Sequence, residues 1–230
     1  MNLFADAAAW LADPANWTGP SGLPTRLLEH LLITAAAVCI AAAVAIPAGL
    51  LVGHTGRGAG VVGAVAGGAR AIPSLGLLTL FGLWLGIGLE APLLTLVVLA
   101  LPSLLAGTYS GVQAIDSSIP AAARAVGHSP AQVLLTVEVP LALPVILGGL
   151  RAATLQVVAT ATLAAYTADF GLGRYLFAGL KSRDYPQMLG GSLVVIVLAL
   201  ALEILFAVFQ RIASRKAWPG RTQTRALATG

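Results

Sequence analysis

Apolar residues along this chain come in long, almost unbroken runs, and polar positions collect in the short segments between them. The first run covers about Leu27 to Val52 and contains ITAAAVCIAAAVAIPAGLLV. Others extend from Val61 to Gly88, Leu93 to Ile115, Leu143 to Tyr166 and Met188 to Phe209. A run of about 20 apolar residues crosses roughly 30 Å of hydrocarbon as a helix. Only helices and closed barrels satisfy their backbone there, and runs of this length fit helices. The pattern therefore predicts an all-α membrane protein with five spans.

The second run needs trimming. Its 28 residues would reach ~42 Å as one helix, more than the hydrocarbon depth. Arg70 lies within it, and a charge at the bilayer centre costs at least ~2.5 kcal/mol, so Arg70 belongs at an interface. The predicted span is Ala71 to Gly88, and the segment before it protrudes.

Composition agrees. The 230 residues are 58% hydrophobic and 10% charged, with a mean hydropathy of +0.90, far from the ~25% charge of soluble domains. Cys39 stands alone, so an internal disulfide is excluded, and it reads as a small packed side chain. His30, His54 and His128 lack metal-ligand spacing and read as interfacial or loop residues, so neither a metal nor a cofactor is expected in this chain.

Basic residues set an orientation. With the N-terminus outside, nine of the 13 Lys and Arg fall inside: Arg57, Arg70, Arg124, Arg151, Arg211, Arg215, Lys216, Arg221 and Arg225. Outside lie Arg26, Arg174, Lys181 and Arg183. The chain then divides into an external segment 1–24, a membrane domain 25–211 and a basic cytoplasmic tail 212–230 without fixed structure. MNLFADAAAWLADPANW reads as an interfacial amphipathic helix with Trp10 and Trp17 at headgroup level, a frayed tail being the alternative.

The inner segment 116–140 and the first residues after it carry SIPAAARAVGHSPAQVLLTVEVPLALP, from Ser118 to Pro144. Ser118 is suited to cap a first helix with Pro120 in its first turn, and Gly127 to end it in the left-handed conformation. Ser129, Pro130 and Gln132 form a capping box that starts a second helix, while Pro140 and Pro144 mark re-entry into the membrane. Glu138 either holds this second helix against a basic neighbour or is a solvated charge.

Within this segment, AAARAVGHSPAQVLLTVEVPLALP resembles the EAA loop of ATP-binding cassette importer permeases. Ala122, Ala123, Gly127 and Pro140 match that pattern, whereas Ala121 stands at its acidic position. AIPSLGLL, ALPSLLAGTYSGVQAID, LPVILGGLRAATLQVVATATLAAY and GLGRYLFAGL extend the resemblance over roughly residues 27 to 210. They resemble the permeases of osmoprotectant importers for glycine betaine, carnitine, choline and proline betaine. TADFGLG departs from the family, with Asp169 and Phe170 where small residues are usual.

The resemblance implies a five-span type I ABC importer permease fold in the bacterial inner membrane. It also implies partners: two cytoplasmic ATPases holding ATP and Mg, a second permease, either a copy or a paralogue, and an external substrate-binding protein. A phosphate loop of the G-x-x-x-x-G-K-[ST] type is missing from the sequence, so ATP is expected on another subunit and this chain is expected to be no enzyme. A role with nucleic acid is not expected. Ala122, Ala123, Arg124, Gly127, Glu138 and Pro140 would form the ATPase-coupling surface.

For the substrate path, Pro73 breaks a helix hydrogen bond and Ser74 helps satisfy the freed backbone, as in transporter helices broken beside their substrate. A kink used only for packing is the alternative. Ser103, Tyr109 and Thr162 on other spans complete the expected lining. A quaternary ammonium substrate could rest on the faces of Trp84, Tyr109, Tyr166 or Tyr175, although aromatics also serve membrane interfaces. A permease for methionine or another small solute, or a non-transporting membrane scaffold or enzyme, stays open as an alternative.

Overall fold

The computed structural model describes residues 2–68 and 71–217. Arg70, Arg221 and Arg225, used above for orientation, and most of the basic tail lie outside these residues. Helices α1 (Leu3–Ala12), α2 (Leu23–Thr55), α3 (Ala59–Gly68), α4 (Ser74–Leu85) and α5 (Glu90–Gln113) are followed by α6 (Ser118–Ala125). Then come a long compound helix α7 (Pro130–Thr167), α8 (Gly173–Ser182) and α9 (Tyr185–Ala217).

The core is built from small residues at a spacing of four. In α2, Ile33, Ala37, Ala41 and Ala45 are buried, and they pack against Leu96, Ala100 and Leu104 of α5 and Ala153, Val157 and Ala161 of α7. The stripe continues to Gly49 and Gly53, where an added Cβ would lie 2.7 Å from Thr108 and from Val112. Helices α5 and α7 cross where Gly107 meets Gly149; a Cβ on Gly107 would lie 2.6 Å from the Gly149 Cα. In hydrocarbon, where water adds no drive for helix association, such close approach supplies the packing. The alanine-rich first run thus serves close helix packing.

Among the described residues, four helices are long and apolar enough to cross a membrane: α2, α5, α7 and α9. The expected span Ala71 to Gly88 differs. Pro73 is extended, and α4 has only 12 residues, or ~18 Å. Helix α2 ends beside the end of α5, where Gln113 bonds Gly53, yet α5 begins at the opposite end, beside Thr167. Residues between Thr55 and Glu90 must therefore return the ~36 Å length of α5. The crossing is shared by two short helices, α3 and α4, with Pro73 in extended conformation immediately before the second.

Several sequence expectations are corrected. Helix α7 begins at Pro130 and runs through Pro140 and Pro144 without a break, so these prolines lie within one long helix. Cys39 is exposed on the outward side of α2. His30 is fully buried, with Nε2 2.9 Å from the Val158 carbonyl oxygen, so it is a core residue. The frayed-tail alternative for the N-terminus falls: Leu3–Ala12 is helical, Trp10 packs on Gly190 of α9 and it stacks edge-on against Tyr175, with centroids 5.2 Å apart. Residues 212–217, assigned to an unstructured tail, continue α9.

Candidate functional site

The loop between α5 and α7 is a rigid unit. Asp116 Oδ1 accepts from the Ser118 hydroxyl at 2.7 Å and from its backbone N–H at 2.9 Å. These bonds, the hydroxyl first, hold the Asp116 carboxyl below its usual range. Asp116 therefore organises the start of α6, and Ser118, expected to be the cap, donates instead. At the other end, His128 N–H bonds the Ala123 carbonyl and Gly127 N–H bonds the Arg124 carbonyl. This crossed pair is a Schellman motif, and Gly127 adopts its left-handed angle, φ +95°.

The second loop helix starts as the sequence predicts. The Ser129 hydroxyl accepts from Gln132 N–H at 3.3 Å, and Gln132 Oε1 accepts from Ser129 N–H at 2.8 Å. Val133–Glu138 then forms a π-helical turn inside α7, a rare element frequent at functional sites. The turn delivers Glu138 to the buried side, where Oε2 lies 2.7 Å from His54 Nδ1 at the end of α2. The basic-neighbour reading of Glu138 holds in geometry, and His54, read from sequence as an isolated loop residue, is that neighbour.

The unit is fastened to the spans and bare on its far side. Ile119 packs with Val112, Ile115, Ala142 and Ile146, joining α6 to α5 and α7. Ala122, Arg124, Gly127 and Pro140 are exposed and Ala123 is half-buried. Val126, which the sequence reading did not single out, is 76% exposed beside Gly127, and a Cβ on Gly127 would meet nothing within 4 Å. Small side chains on a braced frame allow another backbone to approach closely and to push the frame as one piece.

The expected path residues are not gathered at one point. Ser74 opens α4 directly after extended Pro73. The Ser103 hydroxyl reaches Gln156 of α7 at 3.4 Å, on the exposed side of the α5–α7 crossing. Tyr109 is six residues on from Ser103, which turns it about 120° away around α5. Thr162 bonds the Ala159 carbonyl in a 3₁₀ turn near the far end of α7. Gln156, a polar exposed residue within an apolar helix, was missed by the sequence reading.

Two charged clusters were also missed. Arg151 of α7 bonds Glu203 of α9, with Nε to Oε2 at 2.6 Å and a second bond from the guanidinium to Oε1; it also reaches Gln210 at 3.3 Å. At the end opposite the loop, Arg26 is 5% exposed and donates to Glu29, to the Asp169 carbonyl and to Asp169 Oδ1, each at 2.9 Å. Arg174 Nε also reaches Asp169 Oδ1 at 2.9 Å, and Glu29 accepts from Gly171 N–H. Nearby, burial raises the Tyr175 phenol above its ordinary range, and its hydroxyl donates to the Ser21 carbonyl. Sequence distance hid these pairings.

Comparison with known proteins matches this architecture. Residues 45–219 match the family model described as binding-protein-dependent transport system inner membrane component. The choline transport system permease protein OpuBB of Bacillus subtilis (strain 168) is 32% identical, over 81% of this chain and 86% of that protein. The glycine betaine/carnitine/choline transport system permease protein OpuCB of the same organism is 31% identical, over 84% and 88%. The carnitine transport permease protein OpuCB of Listeria monocytogenes is 34% identical, over 76% and 80%. Among solved structures, an inward-facing MetNI methionine ABC transporter chain superposes with a TM-score of 0.74 at 21% identity, covering 89% of this chain and all of that one. The chain therefore belongs to the binding-protein-dependent inner membrane components, the permease subunits of type I ABC importers, and is a multi-pass membrane protein.

Proposed function

We propose that this chain forms half of the translocation path of an ATP-driven importer for a small osmoprotectant, a quaternary ammonium compound such as glycine betaine, carnitine or choline. The choline, glycine betaine and carnitine transport named for its relatives supports the substrate class. The second half of the path is another permease, the same chain or a paralogue. An external binding protein delivers the solute, and two cytoplasmic ATPases hold ATP and Mg. In this arrangement the N-terminus is outside and the coupling loop inside, as the basic residues favour.

One observation carries the coupling role: the loop bares small residues on a frame braced by the Glu138–His54 contact and the Ile119 packing. An ATPase surface seated against Ala122, Ala123, Arg124, Gly127 and Pro140 would move α6 and the start of α7 together. Because α7 is one helix from Pro130 to Thr167, displacement at the loop reaches the opposite membrane face. The path runs along the exposed side of α5 and α7 near Ser103 and Gln156, with Pro73 and Ser74 at the broken crossing. Tyr109 and Thr162 flank it.

The test is reconstitution of the chain with its ATPase and binding protein in proteoliposomes. ATP-dependent uptake of glycine betaine, carnitine or choline is the expected result. Uptake of methionine instead would move the chain to the amino-acid reading. ATP hydrolysis by the purified chain alone would refute the division of labour.

A further inference from the structure

A cavity of about 460 Å³ opens at the end of the molecule opposite the coupling loop. One wall is the turn before α5, with Ile87 and Leu89; the other is the end of α7 and the segment after it, with Tyr166, Asp169, Phe170 and Arg174. Thr167 ties the walls together by donating to the Gly88 carbonyl at 3.5 Å. We propose that this cavity is a reception site for a zwitterionic quaternary ammonium solute, with Tyr166, Phe170 and Asp169 around the methylated cation and Arg174 at the carboxylate. The assignment rests on the osmoprotectant reading above and adds a site to it.

The charges are built into place. Arg26 is almost wholly buried and grips Asp169 through both its carbonyl and its side chain, so the carboxylate is aimed from behind. Both ion pairs of Asp169 among the described residues use Oδ1, and its side chain is 63% exposed, so Oδ2 takes part in neither pair. Arg174 engages Asp169 through Nε, leaving its terminal nitrogens for an incoming carboxylate.

Arg26, Glu29, Asp169 and Arg174 together sum to zero charge. A cluster with no net charge but separated poles favours a solute of the same kind over a plain cation.

The aromatic groups supply what a methylated cation needs. Such a cation has no N–H to donate, and it is held by the negative faces of rings within about 6 Å. Tyr166 is steadied by Phe177, with centroids 6.0 Å apart, and is still 58% exposed. Phe170 is anchored by packing on the core of α2, α5 and α7.

The test uses the complete transporter in vesicles of phosphatidylethanolamine and phosphatidylglycerol, which present no quaternary ammonium headgroup. Uptake of glycine betaine and of choline is compared at saturating binding protein, with stimulated ATP hydrolysis read in parallel. Arg174→Gln should lower glycine betaine uptake about tenfold, the loss of one charge-assisted contact, and leave choline uptake within about twofold. Tyr166→Ala should lower both by about fivefold, whereas Tyr166→Phe, which keeps the ring, should stay within about twofold of the parent. ATP hydrolysis should persist in all three.

Equal loss of both solutes in Arg174→Gln would assign the residue to docking or to structure and overturn the site. Parental uptake in both Arg174→Gln and Tyr166→Ala would overturn the site alone. A parental transporter that carries no quaternary ammonium solute would overturn the site together with the substrate reading it rests on.

Discussion

Glu138 Oε2 and His54 Nδ1 lie 2.7 Å apart and join two points 84 residues distant in sequence, the π-turn of the coupling loop and the end of the first span. The Glu138 side chain is 6% exposed, so little solvent competes for it. Changing either residue alone leaves the other unpartnered, and a coupled pair of this kind shows interaction energies of about 0.5–3 kcal/mol. We expect Glu138→Ala and His54→Ala each to lower ATP-driven uptake, and the double variant to lose less than the two effects combined. A double-mutant cycle on thermal stability and uptake measures this; strict additivity would mean that the contact transmits nothing.

Gly127→Val should separate folding from coupling. The left-handed angle costs a β-branched residue about 1–3 kcal/mol, yet the site is open within the chain, so the spans are untouched. The variant should insert normally and fail to assemble with the ATPase or to support stimulated hydrolysis. Val61→Ala, on α3 away from the loop, is the control and should behave as the parent. Pull-down of the ATPase and a hydrolysis assay give the readout, and normal values for Gly127→Val would remove the loop from the coupling role.

Gly107→Val should be the more damaging glycine change for stability. Its Cβ would lie 2.6 Å from the Gly149 Cα, where backbone rather than a movable side chain stands in the way. Overpacking of this kind costs about 1–3 kcal/mol, and more where helices must separate. The same change at Gly63, with nothing within 4 Å, should be close to neutral. Thermal unfolding in detergent compares them directly, and equal stability of the two variants would contradict the close α5–α7 crossing.

Arg151→Met and Glu203→Met should each destabilise the chain, with a coupling between them of about 0.5–3 kcal/mol, because each leaves a half-buried charge without its partner between two spans. The double variant should recover most of that loss. Unfolding in mild detergent checks it, and a double variant worse than either single change would point to a role beyond pairing.

Orientation is open to direct labelling. In a Cys39→Ser background, a cysteine at Ser182 should react with an impermeant external reagent in intact cells, and one at Ala131 should react only after permeabilisation. The reverse pattern would invert the molecule and remove the loop from the cytoplasm.

The membrane class of this protein was legible in consecutive residues, because run length and composition respond to the solvent. A bilayer admits long apolar helices, and that requirement is written into consecutive residues. The loop grammar was legible for the same reason: the Gly127 stop and the Ser129–Gln132 capping box are made among neighbours within a few residues. The wrong cap at Ser118 was a local competition that Asp116 won, two residues away.

Tertiary structure alone decided which isolated polar residues meet. His54 finds Glu138, Arg151 finds Glu203 and Arg26 finds Asp169, over separations of 84, 52 and 143 residues. Nothing in local spacing encodes these pairs, since each depends on how helices cross. The crossings depend in turn on where glycine lets two backbones touch, as at Gly107 and Gly149. The broken second crossing is of the same kind: Pro73 announced a bend, but the ends of α2 and α5 decided that two short helices together must span the gap.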